Sequence, residues 1–238
     1  MTEQADARQV DQRRADVTVN GVRLACYVSG PDYAPALVLL HGLTGQASTW
    51  NVVGARFAEH FRVYAVDMRG HGESDRPGDY SFETMAADVS GLLDQLGLDQ
   101  VNLVGHSMGG TVAYLIAEQQ PGRIRKLVLE DTPPPSPIGR ATPQRPSEEP
   151  ADFDWAVVPA IFRQLNDPDP AWWDRLGEIT APTLIVSGGA TSHVPQDEVA
   201  EAAARIPDAT IHEIPVGHRI HASRPEEFAE VVLGFLRA

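Results

Sequence analysis

Ser107 stands in Gly105-His106-Ser107-Met108-Gly109, between the apolar run Val101 to Val104 and a helix-period segment (Val112, Leu115, Ile116) that ends at Pro121-Gly122. A G-x-S-x-G placed between a strand and a helix holds its serine in a sharp, strained turn, with the hydroxyl projecting above the sheet. The glycines are required because side chains at those positions would collide with the neighbouring strand and helix. Such a serine offers nucleophilic attack on a carbonyl through a transient acyl-enzyme. A serine hydroxyl is a poor nucleophile at neutral pH, so a base must lie within hydrogen-bond reach. An imidazole base in turn needs a carboxylate to hold its tautomer and stabilise its charged form. The chain offers eight histidines for the role. His106 adjoins Ser107 in the chain, so its side chain diverges from the nucleophile, and His60, His193 and His212 have no companion ligands at metal spacing.

Short apolar runs alternate with helix-period segments and must position these groups: Ala36 to Leu40, Val63 to Val66, Val101 to Val104, Leu127 to Leu129, Thr183 to Val186 and Thr210 to Ile214. Runs apolar on both faces and separated by helices are what a parallel sheet covered on both sides requires, so the fold class is α/β. Ahead of them, Asn20-Gly21 between two β-rich stretches predicts a hairpin. Phe82, Met85, Val89, Leu92, Leu93 and Leu96 predict a helix with Ser81 as N-cap and Gly97 past its end. Phe228, Val231, Val232, Phe235 and Leu236 predict a last helix opened by a capping box of Ser223 and Glu226. Seven prolines between Pro133 and Pro150, followed by Trp155, Phe162, Trp172 and Trp173, interrupt the alternation. Helix and central strand cannot continue through such a segment, so 133–179 is expected to be an inserted lid. Residues 1–16, polar and charged, are expected to be a loose arm.

His41-Gly42 after the third strand, Asp67 to Ser74 (DMRGHGES) after the fourth, the serine turn, and Gly217-His218 before the last helix occur in an order and spacing that resembles the α/β-hydrolase family, from about Val17 to the C-terminus. The resemblance implies an eight-stranded, mostly parallel sheet flanked by helices, a core of 17–132 and 180–238, and Ser107 as nucleophile. His218 then completes the order serine, acid, histidine. His221 is expected to be a surface or supporting neighbour, and His41 and His71 to make structural hydrogen bonds in family-like turns. Much of the family carries its acid in the loop after the seventh strand, but here Ser187 to His193 contains none. Some members carry it after the sixth strand, and matching residue by residue places Asp131 there. Glu130 and Asp197 remain alternatives, although Asp197 also suits the first turn of a helix. By resemblance the oxyanion hole takes the backbone N–H groups of Leu43 and Met108.

These residues imply a serine hydrolase that needs no metal or organic cofactor, with a carboxylic ester or lactone as first choice of substrate. Cleavage of a C–C bond by the same triad, or a ligand sensor on the same fold, are the alternatives. Haloalkane dehalogenase and epoxide hydrolase chemistry is disfavoured, because this fold uses an aspartate for it where Ser107 stands. The lid aromatics suggest an apolar or aromatic small-molecule substrate. With 19 Lys+Arg against 33 Asp+Glu and a net charge of −14, the surface repels nucleic acid and anionic membranes. Cys26 is the only cysteine, so neither an internal disulfide nor a thiolate zinc site is available. No signal peptide and no apolar run of about 18 residues is present, and the expected location is the cytoplasm.

Overall fold

Asn20 and Gly21 sit at φ 52° and 77°, the paired positive values of a type I′ turn, whose twist matches that of the strands it joins. They connect β1 (Arg13–Val19) to β2 (Val22–Ser29) in antiparallel register. The computed structural model describes residues 12–137, 139–148 and 152–238. β1 begins earlier than the expected start of the core: Arg13 to Asp16 pair with Val28 to Ala25. Their polarity suits an edge strand that buries only part of its surface. Residues 1–11 of the expected arm lie outside the described residues.

The other strands are β3 (Ala36–Leu40), β4 (Arg62–Val66), β5 (Val101–His106), β6 (Ile124–Glu130), β7 (Thr183–Ser187) and β8 (Ala209–Glu213). They form one eight-stranded sheet in the order β1-β2-β4-β3-β5-β6-β7-β8. Every pairing beyond β2 is parallel except that of β2 with β4. Successive side chains point to opposite faces, and the two faces bury separate cores. Leu37 and Leu39 pack with α1 (Asn51–Phe57) and α8 (Pro225–Arg237), whereas Val38 and Leu40 pack with α2 (Phe82–Gln95) and α3 (Met108–Gln119). This two-sided burial is why the central strands are apolar throughout. β8 departs from that expectation: Thr210 to Glu213 are exposed, because β8 closes the sheet as its edge.

Ser81 caps α2 as expected. Its Oγ accepts from the Thr84 N–H, and Thr84 Oγ1 accepts from the Ser81 N–H, both at 3.0 Å. The capping box expected for the last helix does not form. Ser223 ends the short α7 (Ile220–Ser223), and α8 starts at Pro225, where proline's fixed φ is pre-set for the helix and its missing N–H is not needed.

Between β6 and β7 the chain leaves the sheet and carries α4 (Val157–Asn166) and α5 (Ala171–Asp174). This excursion is tied down by specific contacts. Trp172 packs edge-on against Phe82 at 5.5 Å, the Tyr80 hydroxyl donates to Asp154 Oδ2 at 2.6 Å, and the Phe82 N–H donates to Gln164 Oε1 at 3.0 Å.

Glu118, on the helix that follows the serine turn, is 2% exposed, and neither of its carboxylate oxygens has a hydrogen-bond partner among the described residues. Burial pushes its pKa up to about 8. The folded chain therefore holds a proton that the unfolded chain releases in the ordinary carboxylate range, and the associated stability is lost as pH rises toward about 8. Glu118→Gln should remove this slope: its urea midpoint should gain on that of the natural chain between pH 5 and pH 9. An equal difference at both pH values would contradict the assignment.

Candidate active site

Ser107 joins β5 to α3 at φ 52°, ψ −119°, a strained conformation of the kind that collects at functional sites. A Cβ at Gly105 would lie 2.3 Å from the Gly109 carbonyl oxygen, and one at Gly109 would lie 2.3 Å from that of Leu40. Both glycines are therefore imposed by close approach of strand, turn and helix. Met108 is the first residue of α3, so its N–H has no acceptor within the helix and sits at the positive end of the helix dipole. Leu43 lies in the loop after β3, which two histidines brace. His71 Nε2 donates to the Leu43 carbonyl at 2.5 Å, His41 Nδ1 donates to the Gly42 carbonyl at 2.8 Å, and the Met68 N–H donates to His41 Nε2 at 3.1 Å. Ser107, Leu43, Met108, Asp131 and His218 line one small cavity of about 110 Å³.

Asp131 follows β6 directly, at φ 50° and fully buried. Its carboxylate accepts from His218 Nδ1 at 2.9 Å, Ser192 Oγ at 2.5 Å, the Gly188 N–H at 2.9 Å and Gln196 Nε2 at 3.2 Å. Burial alone would raise the Asp131 pKa, but these donors, His218 foremost, outweigh it and hold the group below the ordinary carboxylate value. Because Nδ1 faces a carboxylate, the neutral His218 ring carries its proton there and presents a bare Nε2. The loop after β7, which has no acid of its own, supplies two of the donors to Asp131. Asp197 is exposed in the first turn of α6 (Gln196–Arg205). No hydrogen bond joins the Ser107 hydroxyl to His218 among the described residues, although both face the cavity.

Glu130, the other candidate acid, is fully buried and bonds a different histidine. Its carboxylate accepts from His221 Nδ1 at 2.7 Å and from the His221 N–H at 2.9 Å. His221 is therefore no surface residue: it is 4% exposed and lies against the Trp50 ring at 4.3 Å. His106, also buried, points beneath the site and donates from Nε2 to the His218 carbonyl at 2.9 Å. Burial pushes the His106 pKa down to about 4, so the ring is neutral near pH 7. Burial opposes ionisation of Glu130, yet His106 and His221 more than offset it and hold its pKa below the ordinary value. The ligand-type atoms of His106, Glu130 and His221 lie within 4.8 Å of one another. A metal there would have to displace the hydrogen bonds just described.

Several participants carry no sequence signature of their role. His193 has no companion ligands at metal spacing, yet its ring lies 4.3 Å from that of His218 and it lines the cavity. Ser192 and Gln196 carry no motif, and only the folded loop brings them to Asp131. Conversely, none of Trp155, Phe162, Trp172 and Trp173 lines the cavity; its apolar walls include Leu43, Phe82, Ile161, Leu165 and Val194. Trp172 and Trp173 instead hold the excursion in place, on Phe82 and under Arg205 respectively.

Removing Glu130 should be a stability lesion, because it leaves the His221 ring and N–H buried without an acceptor. Glu130→Ala is expected to cost about 3–5 kcal/mol in urea or thermal unfolding, and a loss under about 1 kcal/mol would show that this pair does not brace the fold.

Residues 35–156 match the family model described as alpha/beta hydrolase fold. The chain is 30% identical to the sn-1-specific diacylglycerol lipase ABHD11 of Mus musculus, over 88% of this chain and 83% of that protein. Among solved structures it resembles a hydrolase from Pseudomonas aeruginosa, with a TM-score of 0.82 and 26% identity over 95% of this chain and 99% of that one. It also resembles Est816, described as an N-acyl homoserine lactone degrading enzyme, with a TM-score of 0.79 and 26% identity over 93% and 100% of the two chains. Among the described residues, no helix is long and apolar enough to cross a membrane. With a strained serine between β5 and α3, an eight-stranded sheet behind it and these relatives, the chain belongs to the α/β-hydrolase fold family.

Proposed function

We propose that the protein is a serine hydrolase that cleaves a carboxylic ester or lactone through an acyl-enzyme on Ser107. The observation that carries this reading is the 2.9 Å bond from His218 Nδ1 to a buried, fully bonded Asp131, in the cavity that Ser107 lines. His218 Nε2 takes the Ser107 proton as Oγ attacks the substrate carbonyl carbon. The tetrahedral oxyanion is held by the N–H groups of Leu43 and Met108. His218 then returns the proton to the leaving oxygen, the C–O bond breaks, and the acyl group remains on Ser107. Water repeats the sequence with His218 as base and releases the acid. Asp131 stays ionised throughout, fixing the tautomer and stabilising the transient imidazolium.

Ester and lactone chemistry is favoured by the activities named for the lipase and the lactone-degrading relative. The cavity, about 110 Å³, is smaller than the roughly 300–1,000 Å³ of pockets that enclose drug-sized ligands, which favours a short acyl group. The segment 133–179 acts as the lid of this cavity, to which it contributes Pro133, Pro135, Arg140, Ile161 and Leu165.

Treatment with a fluorophosphonate, followed by peptide mapping, should place a single adduct on Ser107 that is absent from Ser107→Ala. That variant should lose on the order of 10⁴–10⁶ in kcat toward a short-chain ester. Absence of an adduct on Ser107, or unimpaired turnover by Ser107→Ala, would overturn the proposal.

A further inference from the structure

Arg140 is held by neutral groups. Arg62, Arg69, Arg123 and Arg205 each contact a carboxylate, in Asp32, Asp88, Asp94 and Glu201. Arg140 has no carboxylate within 4 Å among the described residues and is clamped by neutral groups. Its N–H donates to Asn166 Oδ1 at 2.6 Å, and its carbonyl accepts from Asn166 Nδ2 at 2.8 Å. Its Nη1 donates to the carbonyls of Ser136 at 2.8 Å and Leu165 at 2.9 Å. The clamp explains how the end of α4 is capped, but it uses only one of three guanidinium nitrogens. A guanidinium has five N–H donors in a planar fork, so the Nε and Nη2 edge is not committed by these bonds.

Arg140 lines the cavity that holds Ser107 and His218. Its charge is felt inside: burial first, then His218, and also Arg140 push the His193 pKa down, against the pull of Asp131. His193 in turn touches the His218 ring at 4.3 Å. The wall has two carboxylates. Asp131 is engaged by its four donors, and Glu198 has one oxygen, Oε2, buried without a partner. The net charge of −14 repels anions in general, so any preference for an anionic substrate must come from a local group. A fixed guanidinium edge is the group best matched to a carboxylate, which it binds through two parallel charge-assisted bonds.

We infer that Arg140 selects substrates carrying a carboxylate a few bonds from the scissile ester, such as a half-ester of a short dicarboxylic acid. The inference rests on the serine-hydrolase reading for its turnover but not for its binding. Glu198 opposes the same anion from the other part of the wall and tempers the selection.

Three methyl esters of matched length test it: monomethyl glutarate (anionic), methyl pentanoate (neutral) and methyl 4-(trimethylammonio)butanoate (cationic). The natural chain should favour the anion over the neutral ester by about ten- to hundredfold in kcat/KM, with the cation slowest. Arg140→Gln should bring the anion-to-neutral ratio close to one, Arg140→Lys should restore part of it, and Glu198→Gln should raise it. Equal rates for anion and neutral ester, a preference for the cation, or an Arg140→Gln variant that slows all three alike would overturn the inference. Binding provides a readout without turnover. Glutarate should raise the melting temperature of Ser107→Ala protein where pentanamide does not, and the added change Arg140→Gln should abolish the shift. No shift with glutarate would overturn the carboxylate site even if Ser107 is labelled, whereas failed labelling with a retained shift would overturn the hydrolase reading alone.

Discussion

Two adjacent carboxylates, Glu130 and Asp131, are buried at the end of β6, and the surrounding architecture is arranged to make that tolerable. An unpaired buried carboxylate is strongly disfavoured, and two in succession are tolerated only if each is separately satisfied. Alternation along the strand sends the side chains to different places. Glu130 meets the ring and N–H of His221, and Asp131 meets His218 with three further donors. Each acid thereby fixes a histidine in the segment between β8 and α8. His106 links the two pairs by donating to the His218 carbonyl. The histidine that faces the cavity is thus held at its ring by one carboxylate and at its backbone by a group lying beside the other.

The serine side of the site depends on close approach rather than charge. Parallel strands β3 and β5 bring the Leu40 carbonyl against Gly109, and the same crowding leaves no room for a side chain at Gly105. The positive φ of Ser107 is the price of turning from strand into helix within a single residue, with the start of α3 left open toward the cavity. The two-sided core makes this strain sustainable, because the central strands cannot shift without disturbing helices on both faces.

Much of this was legible in the sequence because the signals are local. The glycines around Ser107, the Asn20-Gly21 turn, the Ser81 cap and the apolar runs each owe their structure to residues a few positions away. The pairing of Asp131 with His218 was legible only through likeness to the family, since Glu130 and Asp197 met the same general need for an acid. What the residues did not disclose is long-range. His221 and Glu130 are 91 residues apart, and His218 and Asp131 are 87. Neither the burial of His221 nor the supporting roles of Ser192 and Gln196 has a periodic or spacing signature. Ser223 failed as a cap because Pro225, with its preset backbone, starts the helix two residues later. β8 failed as a buried strand because no further strand follows it, which is a property of the sheet rather than of the segment. The aromatic residues of the excursion suggested a substrate, whereas Trp172 and Trp173 pack the excursion onto the core.

The proposed function requires Asp131, and no other carboxylate, to orient His218 for catalysis. Its most direct test is steady-state hydrolysis of one short-chain ester by Asp131→Asn and Asp197→Asn, each first shown to be folded by circular dichroism and thermal unfolding. Asp131→Asn should lower kcat on the order of 10³- to 10⁴-fold, as expected when the histidine loses its orienting carboxylate, and Asp197→Asn should stay within about twofold of the natural chain. Loss of turnover in Asp197→Asn with retention in Asp131→Asn would contradict the claim.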